Sequence, residues 1–162
     1  MMKELTIENL KELLETQEEF ESKEYLINLE SLKIAYAVKF FKWLDNLGFY
    51  NFWEVKSNGS ELLNDLADML ACGLSIANKM NVHINNKIVS ESNDFLKEVE
   101  ETPLSLEDNK VFKAFWEDLS YLISKKSPIN DDILTFVLVP INLALDYHSI
   151  EELIGTYKKK YG

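Results

Sequence analysis

From Leu62 to Ala77 the residues Leu62, Leu63, Leu66, Ala67, Leu70, Leu74 and Ala77 recur three and four apart, the period of an α-helix that buries one face. That period returns in almost every segment of the 162-residue chain, and it constrains the fold more than any single residue does. Five or six amphipathic helices account for it. The first follows Thr6 as N-cap and runs to about Phe20, with Ile7, Leu10, Leu13, Leu14 and Gln17 on one side. The second spans about Leu29 to Leu47, with Ile34, Ala35, Val38, Phe41 and Leu44 or Leu47 turned inward, and Gly48 ends it. After the loop FYNFWEVKSNG, Ser60 caps a third helix that reaches about Met80. A fourth covers about Leu106 to Lys125. Asn130 caps an apolar fifth, which Pro140 is expected to kink, and Ser149 opens the last with a capping-box spacing, Ser-Ile-Glu-Glu.

Residues 81–105 break the pattern. The alternation in VHINNKIV suits a short strand or an extended loop, and Thr102-Pro103 reads as a turn. The remaining composition favours helix: 3 Pro, 5 Gly, and little Val or Thr beside Leu, Glu and Lys. The expectation is an all-α helical bundle forming a single domain over residues 1–162. Ile133–Leu145 is apolar nearly all round, so it belongs at the bundle centre or in a subunit interface. At about 13 residues, with Pro140 and Asn142 inside it, this segment is too short to span a bilayer.

Charge narrows the partners. A formal net charge of −11 repels nucleic-acid backbones and gains nothing from anionic membranes, so neither is expected to bind. All 17 basic residues are lysines, which leaves no guanidinium fork for bidentate phosphate recognition. Cys72 is the only cysteine, and the opening MMKELTIENLKELLE is charged throughout, so a cytoplasmic location is expected. His83 and His148 lie far apart in sequence, with surface or capping roles rather than a zinc site. There is no Ser-His-Asp order, Gly-rich phosphate loop or Cys-x-x-Cys.

The third helix carries Glu61, Asp65 and Asp68 at i, i+4 and i+7, three carboxylates on one face opposite the leucine stripe. A solvated acidic face is one reading. The other is a cation site, since like charges at this spacing repel and Asp65 with Asp68 would gain from a shared counter-ion. The stretch KIAYAVKFFKWLDNLGFYNFWEVKSNGSELLNDLADMLACGLSIANKM resembles the core of the dimeric, all-α dUTPases, relatives of MazG-like nucleotide pyrophosphohydrolases. In that family Glu-x-x-Glu on one helix and Glu-x-x-Asp on a later one hold Mg²⁺ against a triphosphate, and a metal-bound water attacks the α-phosphorus. Asp65-Leu-Ala-Asp68 fits the second pair. The resemblance also places Gln17, Asn51, Trp53 and Lys159 at possible nucleotide contacts, and it implies a homodimer.

The departures from the family are as informative. Lys39 and Lys42 stand at the spacing of the first carboxylate pair, and an ammonium group cannot ligate Mg²⁺. Asn51 and Glu54 flank Trp53 where the family has basic residues, and its polar, Arg-containing tail has no counterpart before Gly162. Two lysines facing Asp65 and Asp68 would replace the metal with an internal ion-pair cluster. Alternatively, both point to solvent. The expected function is that of a non-catalytic, dUTPase-like protein, free of cofactor, that binds a protein partner or a nucleotide. Family relatives in bacteriophages suggest a phage-related role. The competing expectation is an active Mg²⁺-dependent dUTP pyrophosphatase in which Glu61, Asp65 and Asp68 bind the ion, completed by Glu30 or Asp45. A helical scaffold that merely inherited the fold is a third. The aromatics of FKWLDNLGFYNFW suit either a base-sized pocket or the core.

Overall fold

The computed structural model describes residues 6–21, 28–49 and 59–162, with the backbone alone at 59 and 60. Seven helices and no strand occur among them: α1 (Ile7–Glu21), α2 (Leu29–Leu47), α3 (Gly59–Lys79), α4 (Asn86–Glu101), α5 (Asn109–Ser124), α6 (Asn130–Tyr147) and α7 (Ile150–Tyr161). None is long and apolar enough to cross a membrane. α3 is the central rod, packed against α1, α2, α6 and α7, while α4 lies on α6 and α5 on α2.

Caps set most of the boundaries. The Asn9 backbone N–H donates to the Thr6 hydroxyl at 3.0 Å to start α1, and Asn28 caps α2 by accepting from the Ser31 N–H at 2.8 Å. Gly48 closes α2 in the left-handed region, at φ 82°. Ser149 accepts from the Glu152 N–H at 3.1 Å at the head of α7. The expected cap at Ser60 lies outside the described side chains.

Residues 86–101 are helical, which corrects the expectation of an extended segment there. The alternation in VHINNKIV straddles a helix start: Val82 and Ile84 are half-buried in extended chain, and Asn85 then caps α4 through the Ile88 N–H at 2.9 Å. Beyond that cap Ile88, Val89, Ser92 and Leu96 form the buried stripe. The cap of α6 also differs from expectation. Ile129 occupies the N-cap position, and the Asp132 carboxylate accepts from its N–H at 2.9 Å. Asn130 instead pairs with both backbone groups of His83, at 2.8 and 2.9 Å, and so ties the extended segment to α6.

α2 is rotated from the face its sequence suggested. Leu32, Tyr36, Phe40, Trp43 and Leu44 are buried, whereas Ile34 and Val38 are 64% and 50% exposed and Phe41 39%. The helix carries two apolar stripes, and the one with the larger rings wins the core. Full burial of each large side chain contributes about 1.5–3 kcal/mol, so the stripe with three aromatics outweighs the one with Phe41 alone. α5 covers the edge of this stripe, with Phe115 and Trp116 at 5.4 and 6.3 Å from the Phe40 ring.

The α3–α6 contact depends on an unusual complement. α6 runs through Pro140, which lacks the N–H that would bond the Phe136 carbonyl one turn back. Gly73 of α3 packs on that carbonyl: a Cβ here would fall inside contact distance of the Phe136 oxygen and 2.9 Å from its carbon. α6 is buried from Ile133 to Ala144 except at Thr135, which puts it in the bundle centre, the first of the two places its composition allowed.

Candidate functional site

Because α3 is central, its polar face is enclosed at Asp65 and Asp68. Asp65 and Asp68 are each only 8% exposed. A buried carboxylate needs compensating hydrogen bonds or charge, and the two acids find different partners. Asn46 of α2 donates its side-chain amide to Asp65 Oδ2 at 2.8 Å. Asp68 receives the Lys39 ammonium on Oδ2 at 2.9 Å, and on Oδ1 the Lys160 ammonium at 2.6 Å and the Tyr161 hydroxyl at 2.5 Å. Burial pushes the Asp68 carboxyl upward, but Lys160, Tyr161 and Lys39 together outweigh it and hold the group below its ordinary value. Burial, then the bond to Asp68, pushes the Tyr161 hydroxyl far above its ordinary value, so it stays a donor.

The ion cluster thus joins α2, α3 and α7. Of the two lysines read from the sequence, only Lys39 takes part. Lys42 follows Ile34, Val38 and Phe41 onto the outward side of α2, where it lines a groove with Asp45 and Ile123. Glu61, one turn before Asp65, is exposed. Glu30, offered as a completing ligand, is exposed and lies 3.6 Å from Lys33. Lys159 is exposed beside Asn64 and Thr156, in a groove that shares Lys160 with the Asp68 cluster. Asn51, Trp53 and Glu54 lie outside the described residues.

A cleft of about 420 Å³ opens over the cluster between α1, α2, α3 and α7. Gln17, Glu21, Lys39, Asp68, Ser75 and Tyr161 supply its polar lining, with Phe20, Leu32 and Cys72 as apolar wall. Gln17 is buried at the base, where it accepts from the Tyr157 hydroxyl at 2.9 Å. Glu21 accepts from the Ser75 hydroxyl and, at 3.5 Å, from the Gln17 amide. Burial, with Asp68 nearby, pushes the Cys72 thiol up to about 11, so it sits in the cleft as an unreactive neutral group.

Phe20, Tyr157 and Tyr161 were not identified from sequence. The Tyr161 ring stands edge-on to Phe20 at 4.8 Å and lies over Tyr157 at 5.2 Å with a 26° interplanar angle. The aromatics that the sequence did single out have other duties. Trp43 is fully buried in the core and donates its indole N–H to His148 Nε2 at 3.2 Å. Phe41 is 39% exposed against Trp116, and Phe49 lies 6.1 Å from the Tyr147 ring. Tyr50, Phe52 and Trp53 lie outside the described residues.

These donors do not fit Mg²⁺. The ion takes a near-octahedral set of oxygens, whereas both Asp68 oxygens are occupied by ammonium or hydroxyl donors and Asp65 Oδ2 by an amide. Among the described residues no three His, Cys, Asp or Glu side chains converge as a metal site requires. What the arrangement offers is two ammonium groups, two hydrogen-bonding carboxylates (Glu21 and Asp68) and an aromatic wall in a small-molecule-sized cleft. A scan of protein-family models finds no matching family, and a search of curated proteins finds no match, so this chemistry rests on the chain's own residues.

Proposed function

We propose that this chain is a dUTPase-like binding protein that holds a nucleotide in the α1–α2–α3–α7 cleft without hydrolysing it. The observation that carries this is the occupation of Asp68 by Lys39 and Lys160. In a metal-dependent pyrophosphatase that carboxylate must be free to hold Mg²⁺. Here two ammonium groups stand at Asp68 in place of an ion, one more positive charge than that carboxylate balances, so phosphate can be met by lysine and no metal-activated water is generated. The cleft volume, about 420 Å³, falls within the roughly 300–1,000 Å³ of small-molecule pockets.

Calorimetric titration with dUTP and dUMP, in Mg²⁺ and again in EDTA, tests the proposal. Saturable binding of equal strength in both buffers is expected. Binding that appears only with Mg²⁺ would overturn it. Absence of binding to either nucleotide would also overturn it, and would turn attention to the outward stripe of α2 as a contact for a second copy or another protein.

A further inference from the structure

The last turn of α7 already places an aromatic ring in the cleft. Tyr161 meets Phe20 in a T-shaped pair, lies face to face with Tyr157 and gives a hydroxyl donor to Asp68. A nucleobase offers the same chemistry, a flat ring with an N–H donor on its rim. We propose that Tyr161 holds the place of such a ring, and that a planar heteroaromatic ligand enters between Phe20 and Tyr157 by displacing the last turn of α7. This rests on the cleft being a nucleotide site, and it adds what occupies that site before the ligand arrives.

The construction of α7 suits displacement. Ile150, Leu153, Ile154 and Tyr157 anchor the helix in the core, whereas Lys158, Lys159 and Lys160 are exposed and Tyr161 is half-buried. Unwinding after Tyr157 therefore breaks the Asp68 contacts, the Tyr161 ring contacts and the exposed Lys158–Glu12 pair at 2.8 Å, while leaving every buried anchor in place. A helix terminus held by so few groups opens at far lower cost than the helix body. Once Lys160 and Tyr161 leave, Asp68 keeps Lys39 on Oδ2 and has Oδ1 ready for a donor on the base. Lys160 then swings free beside Lys159, available to a phosphate on the same ligand. The cost of opening lowers the affinity of the intact protein, because only the open fraction can accept a ring.

Titration of the full chain with dUMP, and with inorganic phosphate as a ring-free control, tests this across wild type, Tyr161→Ala and Tyr161→Phe. Removing the ring should tighten dUMP binding about tenfold, as the competing contact disappears. Tyr161→Phe, which keeps the ring, should stay much closer to wild type, and phosphate binding should not respond in parallel. A second readout guards against a Tyr161→Ala variant that folds poorly. In wild-type protein saturated with dUMP, the backbone amide resonances of Lys160 and Tyr161 should move to positions of unstructured chain. If dUMP binds wild type while those resonances stay helical, or binds Tyr161→Ala no tighter, displacement is wrong and nucleotide binding still stands. If dUMP binds neither wild type nor variants, displacement is wrong, and nucleotide binding falls with it when dUTP also fails to bind.

Discussion

Asp68, midway along α3, and Asp146, near the end of α6, are both carboxylates drawn away from solvent, and they are treated in opposite ways. Asp68 collects two ammonium groups and a hydroxyl, and its carboxyl is held below the ordinary value. Asp146, near the end of α6, has a buried Oδ2 with no hydrogen-bond partner among the described residues. Burial pushes Asp146 up to about 6, and a backbone hydrogen bond from Leu104 offsets only part of that. Burial alone therefore does not recruit lysines in this molecule. Their convergence on Asp68, from helices distant in sequence, is a feature of that site and not of its depth.

The severest way to break the comparison is to part the helices that carry the two acids. Asp68 lies on α3 and Asp146 on α6, and the two helices meet closely where Gly73 packs on the Phe136 carbonyl. Gly73→Ala puts a methyl against backbone that cannot yield, and should cost about 3 kcal/mol or more. Gly155→Ala is the internal control, with nothing within 4 Å of its added carbon, and should be neutral or mildly stabilising. Thermal melts of both variants decide. Equal melting temperatures would mean that the α3–α6 contact is looser than described.

Asp68→Asn comes next. It leaves Lys39 and Lys160 converging with no counter-charge, and the loss should be about 2 kcal/mol, between about 0–1 for exposed pairs and about 3–5 for buried ones. The depressed carboxyl contributes stability that is present above its unfolded value of 3.8 and is lost as pH falls through the lower folded value. The deficit of the Asn variant should therefore be largest at neutral pH and shrink below pH 4. Urea unfolding at pH 7 and at pH 3.5 measures this, and a deficit independent of pH would show that the charge is not what matters.

Asp146→Asn sharpens the contrast with the smallest effect and the opposite sign. A raised carboxyl favours the fold below its unfolded value of 3.8, and that contribution is lost as pH rises through about 6. At pH 7 the wild type holds an ionised, half-paired carboxylate, so the Asn variant should be more stable by on the order of 1 kcal/mol after allowance for solvent screening. The gain should vanish near pH 4. His148 acts on the wild-type curve in the other direction. Burial lowers its pKa, so its contribution is present above 6.5 and falls away as pH drops. Comparing the two proteins at each pH cancels that background. A variant less stable than wild type at pH 7 would mean that Asp146 has a counter-charge.

Much of this fold was legible where a cap coincided with an apolar period. Thr6, Gly48 and Ser149 each marked a real helix end. α4 was hidden because its cap, Asn85, sits inside an alternation that imitates a strand. The rotation of α2 was hidden because both of its stripes are apolar, and spacing alone cannot say which one larger rings will carry into the core. That rotation also divided the site. The Lys39–Asp68 pair could be anticipated from i, i+3 spacing on two neighbouring helices, but the same spacing falsely carried Lys42 with it. Tyr161 and Lys160 reach Asp68 from more than 90 positions away, a juxtaposition that follows from α7 packing on α3 and leaves no local pattern.

The claim that the Asp68 cluster replaces a metal site is tested most directly by pyrophosphate release from dUTP, measured on the wild-type chain with millimolar Mg²⁺ or Mn²⁺ against an EDTA control. Release at the uncatalysed background in all three conditions is the predicted result. Turnover to dUMP and pyrophosphate that depends on the added metal would contradict it.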